Sequence, residues 1–165
     1  MIPAVSIVGK SNSGKTTLIE KLIPELRKRG YRVATIKHNR HGFDIDHEGK
    51  DSWRHKKAGA QMTVIASLIQ VAIIEDTERA YEISELIDNY IHDVDIVLIE
   101  GFKNNPYPKI EVFRSEVRHE LLYTPHNNYI AIASDQPFDI GIPSFDINNI
   151  SGIADLIEDS ILNTK

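Results

Sequence analysis

The sequence predicts an α/β fold built on a mainly parallel sheet flanked by helices. Predicted strands and helices alternate along the chain, and the strands are continuous apolar runs rather than alternating polar and apolar residues. Continuous runs are typical of strands covered on both faces, as in parallel sheets. The chain has 165 residues, 41% of them hydrophobic, with no internal repeat or low-complexity linker. We therefore expect one domain over residues 1–165.

The first three elements follow from short, clear patterns. Residues 5–8 are an apolar run that predicts a buried strand. The helix predicted from Thr17 to Arg29 ends at Gly30, since glycine accepts the left-handed conformation common at helix ends. Residues 31–36 predict a second strand, whose polar tip begins at Lys37.

The remaining elements continue the alternation after a polar segment at residues 40–50. An amphipathic helix is predicted where apolar residues recur at helical spacing between positions 83 and 91. The other predictions are a short helix from Asp51 to about Gly59, strands at 63–66, 71–74, 96–99, 109–113 and 129–133, and a closing helix at 150–162.

A phosphate-binding loop lies between the first strand and the first helix. Residues 9–16 match G-x-x-x-x-G-K-[ST] at every fixed position. The backbone N–H groups of such a loop and the helix N-terminus bind phosphate oxygens, which identifies the fold class as a P-loop NTPase. Lys15 is expected to bridge the terminal phosphates and to take part in catalysis, and the Thr16 hydroxyl to bind Mg²⁺. The predicted nucleotide-binding residues of this loop are Gly9, Ser11, Asn12, Ser13, Gly14, Lys15, Thr16 and Thr17.

A second acid is predicted at the end of the strand at residues 96–99. Glu100 stands where P-loop proteins place a carboxylate that holds Mg²⁺ or polarises the attacking group. Open α/β sheets bind ligands at the carboxyl ends of their strands, so Glu100 is a candidate catalytic residue and metal ligand. Asp44, Asp46 and Asp51 are the alternative metal ligands.

The segment from Lys37 to Lys57 is locally basic and rich in histidine. It contains six Lys or Arg against four acids, a net charge of +2 in a chain of −5. Such a segment suits a phosphorylated ligand or the partner that carries one. Its four histidines (38, 41, 47 and 55) leave a transition-metal site or a solvated loop as alternatives. Arg40 and Lys50 are the basic residues on which anion binding is expected to depend.

Three further positions are candidates for nucleotide contacts. Lys103 follows Glu100 and should lie near the phosphates, whereas Arg114 and Arg118 form either a lid over phosphates or a solvated edge. Asp135 follows the strand at residues 129–133, where many P-loop proteins place a carboxylate that reads the base. The chain contains no N-K-x-D pattern, so spacing alone does not decide between guanine and adenine.

Composition excludes several classes of protein. The net charge of −5 argues against broad binding to nucleic acid or membrane surfaces. The chain has no cysteine, so it forms no disulfide or thiolate metal site. The apolar runs are far shorter than the ~20 residues that span a bilayer. The first strand follows Met1 closely, without a signal-peptide pattern, so a cytoplasmic protein is expected.

Several of these motifs together resemble the MobB family of molybdopterin-guanine dinucleotide biosynthesis adaptor proteins. The phosphate loop is generic, but its combination with Lys-His, Gly-Lys-Asp-Ser and Glu-Gly-Phe-Lys is much more specific. The matching pieces extend from the first strand to about residue 135: 8–17, 35–38, 49–52, 58–60, 100–103 and 133–135.

The resemblance implies GTP binding with Mg²⁺, weak GTPase activity and a homodimer. It also implies work alongside MobA, the guanylyltransferase that attaches GMP to molybdopterin. On this basis Lys37, His38, Lys103 and Asp135 join the predicted nucleotide-binding residues. Two other classes stay open: a P-loop kinase or ligase of small metabolites, since Glu-Gly also resembles dethiobiotin synthetase, and a nickel-type metal-insertion GTPase, which the histidines suggest.

Overall fold

The structure is a computed structural model that describes residues 2–39, 42–117 and 120–163. Strands and helices alternate up to residue 57, as the sequence predicts, whereas residues 62–75 and 96–146 each contain consecutive strands. In chain order the elements are β1 (Ala4–Val8), α1 (Lys15–Lys28), β2 (Val33–Lys37), α2 (Asp51–Lys57), β3 (Met62–Ala66), β4 (Val71–Glu75), α3 (Ile83–Tyr90), β5 (Ile96–Glu100), β6 (Lys109–Phe113), β7 (Tyr129–Ser134), β8 (Ser144–Asp146) and α4 (Ile150–Ile157).

Six strands form one sheet in the order β2-β5-β1-β6-β7-β8, and every neighbouring pair is parallel. This confirms the predicted P-loop NTPase fold class with its parallel sheet. Strand β1 lies between β5 and β6, so the segments that follow these three strands leave the sheet at the same edge. That edge carries the phosphate loop and Glu100 side by side.

Helices cover both faces of the parallel sheet. One buried cluster packs α1 and α4 against the strands through residues such as Leu22 and Ile153, and the other packs α3 through Ile83 and Ile87. The central strands are therefore buried on both sides, as their continuous apolar runs predict. No helix among the described residues is long and apolar enough to cross a membrane.

Two details of the parallel sheet and its helices differ from the sequence prediction. Strand β8 was not predicted, because it has only three residues and follows Pro143 without an apolar run. The closing helix predicted at 150–162 has the expected extent, but its last turn, Glu158–Leu162, is π-helical.

The chain divides into two compact units, residues 1–38 with 83–165 and residues 39–82. The second unit contains α2 and a two-stranded antiparallel sheet in which β3 pairs with β4 over five residue pairs. The prediction that these apolar strands would be covered on both faces is wrong, since Val64 and Ile73 are about half exposed. A short turn joins them, which favours an antiparallel hairpin over a parallel crossover. The single domain over residues 1–165 stays a prediction.

Candidate nucleotide-binding site

The phosphate loop depends on two glycines. Gly14 caps the N-terminus of α1 with φ 96°, a left-handed conformation that residues other than glycine rarely adopt. Gly9 has φ 153°, and a Cβ atom there would lie 2.5 Å from the carbonyl oxygen of Val112 on β6. Glycine at both positions lets the loop fold tightly against the sheet edge at the start of α1.

Lys15 lies at the centre of a charged group. Its Nζ donates a hydrogen bond to the carbonyl oxygen of Lys10 at 2.6 Å, so the side chain spans the loop. Burial lowers the pKa of Lys15, Glu100 opposes that effect, and the positive charges of Lys103 and Lys37 lower the pKa further. The charges that act on Lys15 are thus those of two further lysines and one carboxylate, and the excess positive charge favours a phosphate ligand.

Thr16 and Glu100 lie in contact. The Thr16 hydroxyl donates to Glu100 Oε1 at 3.0 Å, and Lys37 Nζ lies 3.6 Å from the same oxygen. The Glu100 side chain is only 15% exposed. Neighbouring ligands of an octahedral Mg²⁺ with bonds of ~2.1 Å lie ~3.0 Å apart. The separation of these two oxygens therefore fits a shared Mg²⁺.

An open cavity of about 490 Å³ adjoins the loop. Its lining combines residues of the phosphate loop, including the positively charged Lys15, with the opposed charges of Lys37 and Glu100. The lining residues are Ser11, Asn12, Gly14, Lys15, Thr16, Thr17, Lys37 and Glu100. All of them are among the predicted nucleotide-binding or catalytic residues.

The turn after Glu100 is held against β1 and against the residue that follows β2. Gly101 N donates to the carbonyl oxygen of Ile7 at 3.1 Å, and the rings of His38 and Phe102 stack at 4.0 Å. Phe102 has φ 50°, an unusual conformation for an aromatic residue. His38 thus contacts the turn that carries Lys103, while its contact with nucleotide stays a prediction.

Lys109 is a buried residue that the sequence analysis did not single out. Its ammonium group donates to the carbonyl oxygens of Asn105, Tyr107 and Asn127 at 2.6, 3.2 and 3.1 Å, and burial lowers its pKa. Asn105 in turn donates to Ser6 Oγ at 2.9 Å. A lysine at the start of a predicted strand rich in apolar residues is the sequence signal that could have indicated this role. Lys109 fixes the loop between Glu100 and β6.

Asp135 lies at the end of β7, beside a second, smaller cavity of about 160 Å³. Its carboxylate accepts hydrogen bonds from the backbone N–H of Ser115 at 3.0 and 3.2 Å and from the Ser115 hydroxyl at 3.0 Å. Desolvation would raise the pKa of Asp135, but the Ser115 bonds and the Arg114 charge lower it overall. The carboxylate is therefore ionised and oriented.

A family model described as Molybdopterin guanine dinucleotide synthesis protein B (MobB) matches residues 4–135. The matched residues include the phosphate loop, Glu100 and Asp135. The chain belongs to the MobB family. The predicted resemblance is confirmed, and the family together with the phosphate loop identifies a nucleotide-binding protein.

Individual relatives agree with this assignment over nearly the whole chain. The molybdopterin-guanine dinucleotide biosynthesis adapter protein of Haemophilus influenzae is 43% identical over 159 residues, covering 95% of this chain and 88% of that protein. The adapter protein of Escherichia coli is 39% identical over 163 residues, covering 95% and 92%. The crystal structure of Bacillus subtilis MobB matches with a TM-score of 0.76 at 30% identity, covering 99% of this chain and all of the other.

The other predicted metal ligands of this MobB-family chain belong to the second unit. Asp44 is exposed, Asp46 accepts a hydrogen bond from the backbone of His47 at 2.8 Å, and Asp51 lies 3.7 Å from Arg54. Their binding of Mg²⁺ stays a prediction. Among the described residues, no group of three or more His, Asp or Glu side chains is placed to hold a metal ion. Arg40, His41 and Arg118 lie outside the described residues.

Proposed function

We propose that this chain binds GTP with Mg²⁺ and serves as an adapter in the synthesis of molybdopterin-guanine dinucleotide. Its partner is a MobA-like guanylyltransferase, which attaches GMP to molybdopterin. The main support for nucleotide binding with Mg²⁺ is the Thr16–Glu100 contact beside the phosphate loop. The Thr16 hydroxyl oxygen and Glu100 Oε1 are 3.0 Å apart, a spacing that fits two ligands of one Mg²⁺. Membership of the MobB family supports the pathway.

The residues of the site suit binding better than fast hydrolysis. Lys15 would neutralise the β- and γ-phosphates, and Thr16 and Glu100 would hold Mg²⁺, which would offset further phosphate charge. Oε1 of Glu100 already contacts both Thr16 and Lys37, so this carboxylate is placed as a ligand rather than as a free base. Slow hydrolysis follows, as expected for a protein that presents nucleotide to a partner.

Guanine selectivity is assigned to Asp135. A carboxylate accepts hydrogen bonds from both N1–H and N2–H of guanine, whereas adenine offers no such pair of donors. The bonds from Ser115 support this role, since they fix the direction of the Asp135 carboxylate at the end of β7.

The homodimer is assigned to the exposed face of the β3–β4 hairpin, with a second copy of the chain as its occupant. Val64 and Ile73 lie directly opposite each other, and Met62 and Val71 lie on the same face by the alternation of side chains along strands. All four are at least 48% exposed. A two-stranded sheet is only marginally stable alone in water, and an exposed apolar face favours association. The same face of a second copy of the chain supplies a matching apolar surface.

The segment from Lys37 to Arg54 is assigned to the phosphorylated pterin or the partner that carries it. Its positive charge within an acidic chain attracts phosphate groups. Reversing the charge of Arg40 and Lys50 together should weaken association with molybdopterin or the guanylyltransferase while leaving GTP affinity nearly unchanged.

A reconstituted reaction tests the adapter role. Purified MobA-like guanylyltransferase, molybdopterin and GTP are combined with the parent chain, with Lys15→Ala or with no added chain, and dinucleotide formation is measured. The parent chain should increase product formation, and Lys15→Ala should not, because it lacks the phosphate-binding charge. Equal product in all three reactions would contradict the adapter role.

A further inference from the structure

We propose that Arg114 binds the α- and β-phosphates of the nucleotide, between the Mg²⁺ end of the site and the base end. This inference rests on the proposed function, since it assumes a guanine nucleotide in the phosphate loop. Arg114 follows β6 directly and is half-buried.

The strand order supplies the first argument. Strand β5, which ends at Glu100, and strand β6, which precedes Arg114, flank β1 on opposite sides. Strand β7, which leads to Asp135, lies on the far side of β6. Across the carboxyl edge of the sheet the order is therefore Glu100, phosphate loop, Arg114, Asp135. A nucleotide with its terminal phosphate near Glu100 and its base near Asp135 has its inner phosphates at Arg114.

The position of the guanidinium supplies the second argument. Its Nε and Nη2 atoms lie 3.7 and 3.8 Å from the place where a Cβ atom of Gly14 would be. Arg114 also lines a narrow crevice with Lys10 and Ser13 of the phosphate loop. The guanidinium is thus placed directly beside the phosphate loop.

The third argument concerns the hydrogen-bond donors of the Arg114 side chain, which have no acceptor among the described residues. Among the described residues, the Arg114 guanidinium makes no hydrogen bond and no ion pair within 4.0 Å, although its charge acts on the carboxylate of Asp135. Ser13 Oγ, in the same crevice, is buried and likewise has no hydrogen-bond partner among these residues. A half-buried guanidinium with its donors available is suited to bidentate phosphate binding.

Calorimetric titrations of the intact chain with GDP and with GTP, both with Mg²⁺, test this role. The variants are Arg114→Ala, Arg114→Lys and the control Arg27→Ala, an exposed arginine in the last turn of α1. Because GDP and GTP share the α- and β-phosphates, Arg114→Ala should weaken both to a similar degree, by about tenfold to a hundredfold. Arg114→Lys keeps the charge and should recover part of the loss, and Arg27→Ala should bind like the parent.

Each other outcome is decisive. Unchanged affinity of Arg114→Ala and Arg114→Lys for both nucleotides would overturn this inference alone. A loss confined to GTP would overturn the assignment to the inner phosphates and move Arg114 to the γ-phosphate. A parent chain that binds neither nucleotide would overturn the proposed function as well. If Arg114→Ala does not fold, circular dichroism detects it, and Arg114→Lys carries the test through an equal weakening of GDP and GTP.

Discussion

Strands β5 and β4 have similar sequences, but most side chains of β5 are buried and most of those of β4 are exposed. Both begin with four consecutive apolar residues and end in glutamate, Ile-Val-Leu-Ile-Glu in β5 and Val-Ala-Ile-Ile-Glu in β4. Ile99 of β5 is completely buried between the helices of the parallel sheet, whereas Ile73 of β4 is 48% exposed on the hairpin. A run of apolar residues therefore predicts a strand, but the number of neighbouring strands and helices determines whether its side chains are buried or exposed.

The difference separates two tasks. In the parallel sheet the apolar residues are used to fix β1, β5 and β6, and with them the phosphate loop, Glu100 and Arg114. In the hairpin the apolar residues leave an exposed apolar surface. We infer that nucleotide chemistry belongs to the first unit and self-association to the second.

Replacing one leucine in each unit with alanine should give the largest difference between the two units, measured as loss of the free energy of unfolding. Leu98 of β5 is fully buried and Leu68 of the hairpin turn is fully exposed. Leu98→Ala removes buried methyl groups and leaves a cavity, so it should lower the free energy of unfolding by about 2–5 kcal/mol. Leu68→Ala should change it by less than about 0.5 kcal/mol. Urea denaturation at one protein concentration measures both, and equal losses would contradict the burial described here.

Removing the apolar face of the hairpin should weaken the proposed homodimer, which is the second largest expected effect. The double variant Val64→Thr with Ile73→Thr keeps two β-branched residues at a cross-strand pair but removes their apolar character. It should raise the dimer dissociation constant about tenfold or more, as measured by sedimentation equilibrium. Ile69→Thr, at the exposed turn, is the control and should leave the dimer unchanged. A double variant that dimerises like the parent would place the interface elsewhere.

More of the nucleotide-binding site than of the β3–β4 hairpin could be predicted from the sequence. The phosphate loop and Glu100 were predictable because each lies at the end of an apolar run, and parallel strands bring such ends together. The exposure of Val64 and Ile73 was not predictable, because an apolar run looks the same whether one or several neighbours cover it. The contacts of Lys109 and Arg114 join residues from different loops, which only the folded chain brings together.

Glu100→Gln tests the metal end of the site with a smaller expected effect. Glutamine keeps the size of the side chain and removes the charge that pairs with Lys37 and that we propose binds Mg²⁺. Single-turnover hydrolysis of GTP should fall about tenfold or more, and GTP affinity should fall less. Hydrolysis at the parental rate would make Glu100 a strand-end residue without a catalytic part and would leave Asp44, Asp46 and Asp51 as the metal ligands.

The pH dependence of stability should show the smallest effect. The pKa of Asp135 in the folded chain lies below its usual value of ~3.9, so its ionised form stabilises the fold above that pH. This contribution is lost as pH falls below ~4 and through the lowered pKa. Asp135 is exposed, so the loss should be well under about 1 kcal/mol. Denaturation at pH 7 and at acidic pH should show a smaller decrease for Asp135→Asn than for the parent, and a steeper decrease would contradict the Ser115 contacts.

The most direct test of the central claim is calorimetric titration of the parent chain with GTP and ATP, each with Mg²⁺ and with a chelator. Lys15→Ala serves as the control for the phosphate loop. We expect Mg²⁺-dependent binding of GTP, binding of ATP at least about tenfold weaker, and loss of about a hundredfold in GTP affinity in a folded Lys15→Ala chain. Equal affinity for ATP and GTP, or unchanged GTP binding by Lys15→Ala, would contradict the account.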